Sequence, residues 1–183
     1  MLGVGAAAMT GSMISMTVFT ACGDPVHDDL VKALGPEDAK VPMGPLHRPG
    51  QPCMACHGGR GPAKASFSMA GTVFTLPDTT VGLSGVVVTL RDSVAFADPN
   101  GKGFAATTNA AGNFFIHADE LTPAYPVHVA LTHPGAPKSS GKTMFSHVGR
   151  DGSCASCHHD PKGTESPGHI YFADDATGLP PGQ

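Results

Sequence analysis

Two stretches decide the fold: Gly85-Val86-Val87-Val88-Thr89-Leu90-Arg91 and Thr108-Asn109-Ala110-Ala111-Gly112-Asn113-Phe114-Phe115-Ile116-His117. The first is a β-branched run of strand length. In the second, Asn109 to Asn113 is rich in turn formers. It reverses a short strand, Phe104 to Thr108, into a returning strand over Phe114 to His117. Working outward, Gly71-Thr72-Val73-Phe74-Thr75 reads as a strand start and Pro99-Asn100-Gly101 as a turn. Val127-His128-Val129-Ala130-Leu131 alternates, with Val127, Val129 and Leu131 on one face. Short strands separated by turn signals predict a mainly β protein with a small sandwich over 67–134. Its expected core is Val73, Val86, Val88, Leu90, Phe114, Ile116, Val127, Val129 and Leu131. Gly168-His169-Ile170-Tyr171-Phe172 reads as a last strand rejoining it.

Composition narrows the function. The chain has 183 residues, 24 Gly and 17 Pro, so loops and turns should be abundant. Lys+Arg is 11 against Asp+Glu 15, a net charge of −4, which argues against a nucleic-acid binder. No paired carboxylates or Ser/His/Asp arrangement stands out. By contrast, 5 Cys and 10 His point to metal or cofactor ligation.

Four of the cysteines lie in two clusters, Cys53-Met54-Ala55-Cys56-His57 and Cys154-Ala155-Ser156-Cys157-His158. Both are C-x-x-C-H, the attachment pattern of c-type haem. The spacing has a chemical reason. Two thiols form thioethers to the vinyl-derived carbons on one side of the porphyrin, and the adjacent His reaches the iron. In a chain of this composition the pattern arises by chance roughly 0.007 times. A Cys₄ zinc site is a weaker reading, because its two halves are usually about 15–20 residues apart, and here the whole β segment separates them. A dithiol of thioredoxin type needs only one such pair.

On these residues the chain resembles an exported dihaem cytochrome c of the multihaem type. The resemblance implies two covalent haems c, held by Cys53, Cys56 and His57 and by Cys154, Cys157 and His158, and a role in electron transfer rather than catalysis. Between the motifs, Gly85-Val86-Val87-Val88 and Thr108-Asn109-Ala110-Ala111-Gly112-Asn113-Phe114 resemble the transthyretin-like or carboxypeptidase-regulatory β-sandwich family. That implies a rigid spacer or docking module, since fold alone does not fix function. The expected architecture is thus a small Ig- or transthyretin-like sandwich flanked by two loop-rich haem segments, 40–66 and 135–183, with brief helical turns after each motif.

Each motif has a histidine upstream, His47 and His147, and Gly/Pro-rich loops that suit a wrap round a ring edge. These are the expected distal ligands, alongside the proximal His57 and His158. His159 is the rival for the first iron, His169 stands behind it, and Met43 and Met144 are the rival pair. His27, in a linker over 22–39, is expected to be solvated. His117 and His128 fall on outward strand positions, and His133 lies in a turn before Pro134.

Residues 1–21 carry no charged side chain and read as an export signal. Val18-Phe19-Thr20-Ala21-Cys22 resembles a bacterial lipoprotein signal, which implies lipidation at Cys22. A plain secretory signal or an uncleaved anchor is the alternative. The expected setting is periplasmic or cell-surface, lipid-anchored in a bacterial membrane, with other redox proteins of the envelope as partners and no nucleic acid. Two further readings stay open: a structural subunit that self-associates by stacking haems along a polymer, and a small dihaem peroxidase.

Overall fold

The computed structural model describes residues 24–41, 43–98, 101, 103–174 and 177–181. Cys22, residues 1–21 and most of the turn placed at Pro99-Asn100-Gly101 lie outside them. Among the described residues the chain is mainly β, with six strands in two antiparallel sheets and three short α-helices. Strands β1 (Phe67–Thr72) and β4 (Asn113–His117) form one sheet. The other has the order β3 (Phe104–Thr107), β2 (Val87–Arg91), β5 (His128–Thr132) and β6 (Lys142–Thr143). The arrangement is compatible with a small sandwich.

Alternation places the core. Every expected core residue is buried, and all join one apolar cluster with Met69 and Phe172, which the sequence reading did not include. Two features differ from expectation. The strand placed at Gly71–Thr75 begins earlier, at Phe67, because it pairs along β4 with an irregularity between Phe67 and Met69. The turn at Asn109–Asn113 does not make a hairpin. Strand β3 pairs with β2 and β4 pairs with β1, so the turn carries the chain from one sheet to the other. The Asn109 side chain holds this corner, accepting from Ala111 N at 2.9 Å and Asn113 N at 3.2 Å.

The last segment rejoins the sheet through a single parallel bridge, Phe74 to Tyr171, rather than a full strand. Phe74 N donates to Ile170 O at 2.8 Å, Phe172 N donates to Phe74 O at 3.2 Å, and the Phe172 ring is fully buried. The segment read as a linker contains helix α1 (Pro25–Ala33). Asp24 caps it by accepting from His27 N, and Pro25 opens its first turn, where its missing N–H costs nothing. Helix α3 (Ser93–Ala97) is capped in the same way by Asp92. No helix among the described residues is long and apolar enough to cross a membrane.

Candidate functional site

The first motif is itself a turn of helix, α2 (Cys53–His57), so the helical turn coincides with the motif instead of following it. His57 Nδ1 lies 2.8 Å from Ala65 O. A carbonyl only accepts, so Nδ1 donates, and Nε2 is free of that bond. The Phe67 ring stacks on the imidazole at 4.2 Å and fixes its plane. His47 is held in the same manner, its Nδ1 bonded to Gly44 O. The two rings stand 5.8 Å apart, tilted by 38°. Two imidazoles sharing one metal through bonds of about 2 Å stand at nearly that separation.

The loop bearing His47 is pinned to the outer side of the β1–β4 sheet. Asn113 Nδ2 donates to Pro45 O at 3.2 Å and His47 O at 3.0 Å. Gly50 N donates to Thr72 Oγ1 at 2.8 Å, and that hydroxyl donates to Asn113 Oδ1 at 2.7 Å. Asn113 and Thr72 are buried, so these bonds are shielded from water.

The second motif forms a 3₁₀ turn, Cys154–Ser156, closed by Cys157 N donating to Cys154 O at 3.2 Å, with His158 N also donating to Cys154 O at 2.9 Å. Asp151 braces it, accepting from Ser153 N at 2.9 Å and Ser156 Oγ at 2.6 Å. Ser153 bridges Ala70 of β1. A Cβ on Gly71 would lie 2.8 Å from Cys154 Cβ, so only glycine admits the motif there. His158 Nδ1 lies 3.1 Å from Gly168 O, which again leaves Nε2 free.

The four thiols of the motifs are unpaired. Burial pushes Cys53 up to about 11 and Cys154 up to about 12 from 9.0, and for Cys154 the nearness of Cys53 adds to the rise. Both motifs pack against β1. Such thiols stay protonated at neutral pH, unlike reactive dithiols. Among the described residues, no group of three or more His, Cys, Asp or Glu is placed to hold a metal ion.

The remaining histidines divide clearly. The ring of His147 does not stand against His158 but beside His128, at 6.0 Å. His159 N donates to Ser166 Oγ at 2.9 Å, and its Nδ1 lies 3.2 Å from Asp160 O. Both nitrogens of His169 are engaged, Nδ1 near Thr79 O at 3.3 Å and Nε2 near Asp160 Oδ2 at 3.2 Å, so it has none left for a metal. Among the described residues no aromatic or imidazole ring is paired with that of His158. Met43 is 93% exposed, whereas Met144 packs against the core. His27 is not fully solvated as expected: its Nε2 is sealed from solvent without a partner among the described residues, on the helix that packs against α2. The Asp24–Pro25 cap was the sequence signal for that helix.

No family model matches the chain, and no curated protein or solved structure matches it. The chemistry of the site therefore rests on its own residues. Two pairs of thiols, each followed by an imidazole with its Nδ1–H given to a carbonyl, can tether a ring at two points and present a neutral nitrogen beside it.

The buried thiols give a pH test. Folded chains with free thiols keep protons that unfolded chains release above pH 9.0. That stability is fully present below pH 9.0 and is lost as pH rises through about 11 and about 12. Thioethers cannot titrate. Urea unfolding midpoints should therefore fall across this alkaline range while the thiols are free, and this component should vanish once the thiols are converted to thioethers.

Proposed function

We propose that this chain is a dihaem c-type cytochrome that passes electrons between redox proteins of the bacterial envelope. The observation that carries the reading is the His47–His57 pair, 5.8 Å apart beside Cys53 and Cys56, with Nδ1 of each ring on a carbonyl. Haem, when bound, supplies a one-electron iron couple. The protein's part is to hold two neutral imidazoles in place and keep the thioether side dry. His57 is oriented by Ala65 O and Phe67, and His47 by Gly44 O and the Asn113-bonded loop. Paired imidazoles favour a lower potential than a His–Met pair. If His47 and His57 both held the iron, no open position would remain for substrate, which supports electron transfer over catalysis.

At the second motif, Cys154, Cys157 and His158 are proposed as the attachment set, on a turn that packs against β1 as α2 does. His147 and His159 were the expected distal histidines beyond His47. His147 faces His128 instead, so no distal ligand is assigned to the second iron. The second reading is a peroxidase-type centre at the His158 site. The β segment is proposed to be a transthyretin-like spacer between the haem segments, and Cys22 to carry the lipid that anchors the chain at the periplasmic or outer surface. Stacking of haems between copies remains the structural alternative.

His47→Ala tests the assignment. The ferric protein should lose one low-spin centre, and the reduced variant should bind one more equivalent of carbon monoxide than wild type. An unchanged low-spin spectrum, or a methionine–iron charge-transfer band in wild type, would contradict it. Carbon monoxide binding to reduced wild type would favour the peroxidase reading for the second centre.

A further inference from the structure

His128 and His147 meet on the side of the four-stranded sheet that faces away from the core. Along β5, Val127, Val129 and Leu131 are buried, so His128 between them points outward. What brings His147 to it is an irregular pairing. Ala130 pairs with Thr143, and Val127 pairs with Val148 through bonds of 2.9 and 2.8 Å. Between these pairings β5 has only His128 and Val129, whereas the facing chain has Met144, Phe145, Ser146 and His147. The surplus bulges outward. Bulges of this kind re-aim side chains and are common beside functional sites. Here Phe145 is left fully exposed, and His147 comes to 6.0 Å from the His128 ring, tilted by 56°.

The chemistry of the pair is specific. Neither ring has a hydrogen-bond or ion-pair partner among the described residues, unlike His47, His57, His133, His158 and His169. Phe96 stacks on His128 at 3.7 Å and 16°, which fixes its plane and leaves the nitrogen edge open. The Arg91 guanidinium sits over Phe96 at 5.4 Å from the ring centre. Two imidazoles on one metal, with bonds of about 2.0–2.1 Å, stand about 5–6 Å apart centre to centre. The observed spacing lies at the upper end of that range, within reach of a small side-chain rotation about the exposed His147.

We propose that His128 and His147 form a two-histidine site for a divalent late first-row transition metal, with water completing the coordination. Imidazole selects zinc, copper or nickel over magnesium or calcium, which prefer oxygen ligands. The site does not depend on the haem reading, because its residues lie outside both C-x-x-C-H motifs.

The test is a calorimetric titration of the full, haem-attached chain with Zn²⁺ alone, for wild type, His128→Gln, His147→Gln and the outward-facing control His117→Gln. Wild type and the control should bind one equivalent. Each of the other two should weaken binding by about ten-fold or more, since loss of even an outer-shell partner costs about 10–100-fold. Zn²⁺ should raise the unfolding temperature of wild type and not of those two variants, while their melting in chelator stays that of wild type. Full Zn²⁺ affinity in either variant, or equal loss in the control, would overturn the site. A change of haem spin state in His147→Gln would place that ring on iron and overturn it as well.

Discussion

Phe172→Ala is expected to destabilise the protein by about 3–5 kcal/mol, the usual cost of deleting a fully buried aromatic ring. The ring is completely buried and touches the cluster shared by both sheets. The loss is also expected to reach the second motif. Phe172 and the Phe74–Ile170 hydrogen bond tie down the arm that carries Gly168, whose carbonyl orients His158, and His169, which meets Asp160. On the dihaem reading, freeing that arm should lower haem occupancy at the second motif while leaving the first intact. Urea unfolding gives the stability, and the haem-to-protein ratio gives the occupancy. Phe104→Ala, at a ring already 39% exposed on the edge strand β3, serves as the comparison and should cost far less.

Gly112→Ala should be at least as damaging, for a different reason. Gly112 has φ +75°, and a Cβ there would lie 2.3 Å from Val73 O and 2.8 Å from Gly82 Cα. The left-handed backbone alone costs alanine about 1–3 kcal/mol. The overlap falls on backbone atoms that cannot rotate away, at the corner where the chain passes from β3 to β4. Gly35→Ala isolates the first contribution, since Gly35 has φ +67° with nothing within 4 Å of its Cβ position. The difference between the two unfolding free energies measures the steric part. Equal effects would mean the corner relaxes and does not set the sheet switch.

Alternation made the core readable. Val86, Val88 and Leu90, and likewise Val127, Val129 and Leu131, repeat every second residue, and each set faces inward. Strand β1 was harder to place because Phe67-Ser68-Met69-Ala70-Gly71-Thr72 has little β-branched character. Its extended form comes from pairing with β4, a long-range interaction that outweighs local preference. For the same reason the turn at Asn109–Asn113 was visible as a turn, but not as a crossing between sheets. His47 was legible from its distance to Cys53, because a short loop keeps upstream residues near the motif. His147 has similar spacing, yet two surplus residues opposite β5 direct it to His128. Such a bulge depends on a partner strand that sequence spacing does not reveal. The burial of His27 Nε2 was hidden for a related reason, since it follows from the packing of α1 on α2.

Two covalent haems are the central claim, and intact mass after denaturation tests it most directly. The account predicts a mass equal to the processed polypeptide plus two haem groups. It predicts one haem fewer held by two thioethers when Cys157 is replaced by serine, with the first site unchanged. A polypeptide carrying one haem, none, or zinc in place of thioethers would contradict it.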